Sequence, residues 1–202
     1  MFKELSKKQI ISMIFIIAII SGFIGWIYEV VFYYFNGGMK DFYMRGNNFL
    51  PLIDIYAIGS IMILFLCHKQ IKHPIRIFII CVLSTGLLEY LTGYILYGVL
   101  GIRKAWDYNT EILNFGNISG YVCLRSVLVF GILGLCMMYM ILPLVIKLVK
   151  SKHINKIFII SVILFSIFVF DEFYNLVLTK AFGLPRAVEI YENIGIKYMT
   201  FE

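Results

Sequence analysis

The chain has 202 residues, 61% of them hydrophobic and only 15% charged, with a mean hydropathy of +0.88. Soluble domains run at about 45–50% apolar and about 25% charged, so this composition excludes an ordinary soluble enzyme, a disordered tail and a disulfide-stapled secreted scaffold. The net charge of +6 would suit nucleic acid in a soluble chain; in a chain this apolar, what matters is where the charges fall.

Crossing a bilayer core takes roughly 17–25 apolar residues per helix. Five stretches are candidates: about 9–35, 52–67, 75–100, 120–148 and 157–178. The first is too long for a cleaved signal peptide, contains Glu29 and precedes no small-residue cleavage site. The second is short, as a span following a partly re-entrant loop would be. Lys3, Lys7 and Lys8 precede the first span; Lys69, Lys72 and Arg76 separate the second from the third; Lys147, Lys150, Lys152 and Lys156 separate the fourth from the fifth. With Glu4 the only acid there, these segments carry +9, and the rest of the chain carries −3. The positive-inside rule then puts the N-terminus in the cytoplasm and the C-terminus outside, an alternation that an odd number of spans satisfies. The expected fold is an all-α, polytopic membrane helical bundle of five transmembrane helices over 1–179, followed by an extracytoplasmic amphipathic tail, 180–202.

Intramembrane ionisable residues are functional candidates because each costs at least a few kcal/mol in lipid. By helical rise, Glu29 lies roughly 28 Å along the first span, while Glu89, Asp171 and Glu172 lie roughly 21 Å along theirs. Asp54 and Arg125 sit just inside the outer ends of the second and fourth spans. All fall in the outer half. Arg45, after an Asn36-Gly37-Gly38 turn, and Trp106, Asp107, Tyr108 and Asn117, between the third and fourth spans, point to the same level. The expectation is an outward-facing polar vestibule with acidic and basic walls. The competing structural reading is a set of inter-helix salt bridges that hold the bundle in register.

Other signals are weak. Cys67, Cys81, Cys123 and Cys136 form no C-x-x-C pair and read as small apolar fillers. His68, His73 and His153 all lie in the basic segments, so neither a metal motif nor a His-based triad is expected in the outer layer. No G-x-x-x-x-G-K-[ST] motif is present. No cofactor, metal or nucleic acid is called for, and catalysis is the less favoured reading. Gly22, Gly25, Gly86, Gly93, Gly131 and Gly134 line the spans as close-approach positions.

An ordered set of short motifs runs along the first four spans. Gly25-Trp26 precedes Glu29; then come Arg45-Gly46, Pro51-x-x-x-Ile55-Tyr56-x-x-Gly59 and Leu88-Glu89-Tyr90-Leu91-Thr92-Gly93. Trp106-Asp107-Tyr108, Asn117-x-x-Gly120-x-Val122-Cys123-Leu124 and Gly131 follow. This set resembles the bacterial permease family of the CmpB type, ABC-transporter type IV. The resemblance implies a polytopic bacterial inner-membrane protein and carries over Glu29, Arg45, Glu89, Trp106, Asp107, Tyr108 and Asn117, but no substrate. The sequence departs from the family pattern at Asp54, where a proline is usual, and at Ala57, where a glycine is. It also departs at Tyr97, where an acid is usual, and at Tyr121, where a base is; Arg125 lies one turn further along the same face.

The expected function is therefore a permease-like component binding a small polar or charged solute in the vestibule. Its partners would be the lipid bilayer, a separate ATPase subunit and a second copy of itself. Two other readings stand beside it: an intramembrane enzyme or binder acting on a lipid or isoprenoid-linked substrate, and a non-catalytic membrane scaffold.

Overall fold

The computed structural model describes residues 2–36, 43–46, 48–101 and 106–198. The turn expected at 37–38 and the last four residues of the tail lie outside the described residues. A short 3₁₀ turn, Phe2–Glu4, precedes α1 (Lys7–Asn36). Then follow α2 (Asp54–Cys67), α3 (Pro74–Gly93), α4 (Leu124–Cys136), α5 (Leu142–Val149), α6 (Ile154–Phe173), α7 (Thr179–Phe182) and α8 (Ala187–Asn193). Among the described residues there is no β-strand, only isolated bridges such as Met44 with Tyr198. Four helical stretches are long and apolar enough to cross a membrane: Lys7–Phe35, Pro74–Val99, Leu124–Val149 and Ile154–Phe182. α2, with 14 residues, is shorter.

Three of these stretches widen into π-turns, at Tyr94–Val99, Met137–Ile141 and Tyr174–Leu178. The middle one has a covalent cause. Pro143 has no amide hydrogen for the carbonyl of Tyr139 and its ring crowds that oxygen, so the preceding turn widens before α5 begins. The fourth stretch starts at Leu124 rather than at 120, because Ser119 and Gly120 both take positive φ (56° and 76°) and cannot continue a helix.

α1 packs against α2, α5 and α6, and α3 packs against both α2 and α4. The bundle has two unlike ends. At one end, Phe2 lies 4.4 Å from the His68 ring, Lys150 pairs with Glu4 at 3.5 Å and Lys8 bonds Asn155 at 3.1 Å. This gathers the basic segments together. Above them the interior is apolar: Met13, Ile17, Leu64, Ile77, Met138, Leu142 and Val149 are fully buried. The outer faces are apolar too, with Leu83, Leu87, Ile132, Met140, Leu144 and Phe170 exposed. An apolar exterior around a bundle with polar groups inside is what a lipid solvent requires.

The opposite end, the loop end, contains an irregular segment that dips inward. Ile53 donates its amide to the carbonyl of Gly22 at 3.1 Å. Gly22 lies fourteen residues before the end of α1, roughly 21 Å at 1.5 Å per residue. α2 therefore begins deep in the bundle, which is why 14 residues suffice to reach the basic end. Irregular backbone at such depth must find all its partners in protein. Phe49 and Leu50 donate to the Asp171 carboxylate at 3.0 and 2.7 Å, and Leu52 donates to the Leu50 carbonyl. The Asn48 and Phe49 carbonyls accept from the hydroxyls of Tyr198 and Tyr191. The tail thus lies against this segment, and Met44 donates to the Lys197 carbonyl at 2.8 Å.

Small residues let these pieces approach. A Cβ on Gly25 would fall 2.2 Å from the Tyr56 ring, and one on Gly134 would fall 2.5 Å from Cys81 Sγ. The four cysteines are free thiols, three of them buried, in keeping with a filler role.

Replacing Asp171 with Ala strands two half-buried amides, at up to about 1–3 kcal/mol each. Thermal unfolding in detergent should show a large loss of stability in Asp171→Ala and a smaller one in Asp171→Asn, which keeps one acceptor oxygen. Equal behaviour of Asp171→Ala and wild type would contradict this account of the dipping segment.

Candidate functional site

The loop between α3 and α4 is organised by its own side chains. Asp107 Oδ1 accepts from the Asn109 amide and side chain at 3.0 and 2.9 Å. Asn117 Nδ2 donates to Asn109 Oδ1, and Asn117 Oδ1 accepts from the Gly120 amide, both at 2.9 Å. Gly120 is required there, since a Cβ would sit 2.3 Å from Asn109 Nδ2 and 2.5 Å from Asp107 Oδ1. Asp107 and Asn117 therefore fold the loop. Trp106 and Tyr108 are what the loop delivers: both line a cavity, and Trp106 Nε1 is anchored on the Tyr121 carbonyl at 2.9 Å.

The sequence-predicted residues fall around two adjoining cavities at the loop end. The first, about 30 Å³, lies among α1–α4 and is lined by Tyr28, Glu29, Tyr56, Glu89, Tyr108 and Arg125, among others. The second, about 80 Å³, lies toward the dipping segment and the tail; its polar wall includes Glu29, Asn48, Asp54, Glu172, Asn175 and Arg186. Glu29, Ile55 and Trp106 belong to both walls. Two π-turns open onto the second cavity, contributing Leu96 and Tyr97 from one and Asn175 and Leu176 from the other.

The charges are largely engaged. Arg45 grips Glu29 through Nε and Nη2 at 2.9 and 2.8 Å, and its guanidinium lies 4.2 Å from the centre of the Tyr33 ring. Arg125 pairs through Nη2 with Glu111 at 2.8 Å and lies 4.3 Å from the Phe32 ring centre. Among the described residues no cation pairs with Glu89; Tyr108 donates to it at 2.5 Å and Ser126 at 2.7 Å. Glu172 is bonded by Asn48. Asp54 accepts from the Ile55 amide at 2.7 Å, at the start of α2. Asp171 is turned to the dipping backbone and to Asn175, at 2.9 Å, and does not line either cavity. Glu29, Glu89, Tyr108, Trp106 and Arg125 thus share one cavity, Glu29, Asp54 and Glu172 the other, and Arg45 stands behind Glu29.

Sequence reasoning missed Glu111, Asn48, Ser126 and Asn175. Glu111 lies in a loop, where an acid reads as solvated, and the other three are uncharged. Ser126 carried the one usable signal, a position one residue beyond Arg125 in the first turn of α4 that also caps Cys123.

Tyr108 lies in the loop, and its burial, with the Glu89 carboxylate second, pushes its hydroxyl well above the ordinary value of 10.0. A proton held more tightly in the folded than in the unfolded state stabilises fully below the unfolded value. That contribution is lost as pH rises from about 10 through the folded value. Tyr108→Phe should cost about 1–2 kcal/mol at neutral pH, because Glu89 loses a donor. It should also flatten the alkaline fall in melting temperature. An alkaline limb unchanged by Tyr108→Phe would count against this placement.

No curated protein and no solved structure matches this chain. One family model does, over residues 13–176, and it is described as Putative ABC-transporter type IV, the CmpB type. That range runs from within α1 to within the π-turn of the last long helix and contains the dipping segment, the organised loop and both cavity walls except Arg186. The chain belongs to the CmpB-type family of ABC-transporter type IV proteins.

Proposed function

We propose that this protein is the membrane component of a transport system, binding a small polar or charged solute in the two cavities at its loop end. The observation that carries this reading is the one-sided distribution of polarity. Engaged acids and arginines line the cavities at one end, while toward the other end the core is apolar. Salt bridges built only for register would be expected to be packed solid; here Asp54 and Glu172 face a cavity with no cation within salt-bridge reach among the described residues. Membership of an ABC-transporter-type family supports the same reading.

In this reading the chain crosses a bacterial inner membrane five times, with α2 and its dipping approach making the second crossing. The basic end is cytoplasmic and the loop end faces outward, so the tail, 180–202, is extracytoplasmic, and its residues up to Tyr198 lie against the dipping segment beside the second cavity. Energy would come from a separate ATPase subunit docking on the basic end. With no internal repeat, a second copy would complete the transport path.

A second reading has one specific observation in its favour. An apolar groove of about 560 Å³ runs along α3 and α4, with Leu83, Leu87, Val122 and Val127 among its walls, beside the polar layer. A lipid or isoprenoid-linked substrate could lie there with its head at the cavities. A deletion strain whose lipid profile is restored by wild type but not by Glu29→Gln would favour it.

Membrane-impermeant thiol labelling tests the arrangement. Asn117→Cys should react from outside intact cells and Lys69→Cys only in inverted vesicles; labelling of both from one side would overturn the topology. Purification from native membranes in mild detergent should recover an ATPase. Its reproducible absence would sink the transport reading.

A further inference from the structure

A third cavity, about 70 Å³, lies next to the polar ones on the side of the basic end. It sits between Ile24 of α1 and Leu133 of α4, with Ile63 of α2 and Thr85 of α3 at its back and Met137 and Ile141 at its foot. Its wall is largely apolar, because the buried hydroxyls of Ser60 and Thr85 turn back onto their own helices and donate to the carbonyls of Ala57 (2.8 Å) and Cys81 (2.7 Å). Tyr56 and Phe130, whose ring centres are 4.8 Å apart, line both this cavity and the 30 Å³ cavity that holds Glu89. The two cavities therefore adjoin across one pair of rings.

Helix packing accounts for the space. α6, α1, α2, α3 and α4 pack in that order, each against the next, and among the described residues no close packing joins α1 to α4. α1 meets the same long stretch nearer the basic end, through α5. The stretch Leu124–Val149 thus parts from α1 at the π-turn Met137–Ile141 and leaves a cleft above it. Ser21, Ile24, Leu133 and Cys136 are only partly buried along this cleft, so protein does not seal it on the side that faces lipid.

In the upper part of the cleft the uncompensated charge is negative. Glu29 is paired with Arg45 and Arg125 with Glu111, whereas among the described residues no cation pairs with Glu89. A carboxylate has about four acceptor sites, and Tyr108 and Ser126 occupy two of them. The rings of Tyr28, Phe32, Tyr56, Trp106, Tyr108 and Phe130 form much of the remaining wall, and aromatic faces attract organic cations. A volume of about 30 Å³ admits one or two water-sized groups, the size of an ammonium head. We propose that the cleft between α1 and α4 binds an amphiphile with an ammonium head. The ammonium donates to Glu89 among the rings, and the apolar chain passes Tyr56 and Phe130 into the lower cavity. An inorganic cation would leave the apolar cavity unfilled, and a neutral chain would leave Glu89 without a counter-charge. The inference deepens the solute-binding reading, on which it rests, by giving the solute a chemical class.

Full-length protein in lipid nanodiscs is titrated with octylammonium and with three controls: octanol (the same chain without charge), octanoate (the opposite charge) and methylammonium (the head without a chain). Binding is read by tryptophan fluorescence, since Trp106 lines the upper cavity, and by melting temperature. Glu89→Gln removes the charge; Leu133→Phe narrows the lower cavity and leaves Glu89 in place. The expected result is saturable binding of octylammonium, about tenfold tighter than any control and weakened about tenfold in Glu89→Gln. Leu133→Phe should weaken it severalfold. Octanol or octanoate binding as tightly as octylammonium overturns the proposal by removing the need for an ammonium head. Methylammonium binding as tightly overturns it by removing the need for a chain, and unchanged affinity in either variant overturns the site. The four probes on wild type decide the matter even where a variant fails to fold. That failure would leave the transport reading standing, because the reading falls on the missing ATPase and not on the chemistry of the ligand.

Discussion

The structure depends on one constraint: backbone that runs irregularly among apolar helices must have its polar groups satisfied by protein, because lipid supplies none. The segment from Asn48 to Ile53 is such a backbone. Asp171 takes two of its amides, Gly22 takes a third, and Tyr191 and Tyr198 cover two of its carbonyls. The approaching chain comes into van der Waals reach of α1 there: a Cβ on Gly22 would lie 3.4 Å from the Ile53 carbonyl. Once this segment is fixed, α2 starts at depth and Asp54 is placed at the wall of a cavity rather than at a surface. The tail follows from the same requirement, since its tyrosines supply the donors.

Polarity is confined to the end that contains this segment. A lone buried ion is prohibitively costly, and a buried pair roughly breaks even only with good geometry and further hydrogen bonds. The pairs here meet that condition through forked or aromatic-flanked arginines and hydroxyl-bonded carboxylates. Such pairs contribute little net stability. What they give is a set of charges held around small enclosed spaces, the feature on which the proposed solute binding rests. The half below is apolar, with Met138, Leu142 and Val149 fully buried. The π-turns add to this: two of them turn side chains into the larger cavity, as π-bulges at functional sites often do.

Much of this was legible in the sequence. The long apolar stretches, the clustering of lysines in alternate connections and the depth of Glu29, Glu89, Asp171 and Glu172 follow from counting residues along helices. The short second stretch already signalled a re-entrant approach. What counting could not give was direction. Asp171 and Glu172 are neighbours at the same depth, yet one serves the dipping backbone and the other a cavity, because adjacent helical positions differ by about 100° around the axis. Asp107 and Asn117 looked like site residues and are tied into the loop that presents Trp106 and Tyr108. Glu111 carried no signal at all, because its importance comes from an arginine fourteen positions away.

The sequence by itself therefore determined the solvent, the helices and the level at which charge would gather, since these are set by hydrophobicity and by the fixed rise of a helix. The tertiary structure alone decided which charges pair and which carboxylates hold backbone. Those outcomes depend on ångström-scale approach between segments far apart in the chain, and neither periodicity nor composition records it.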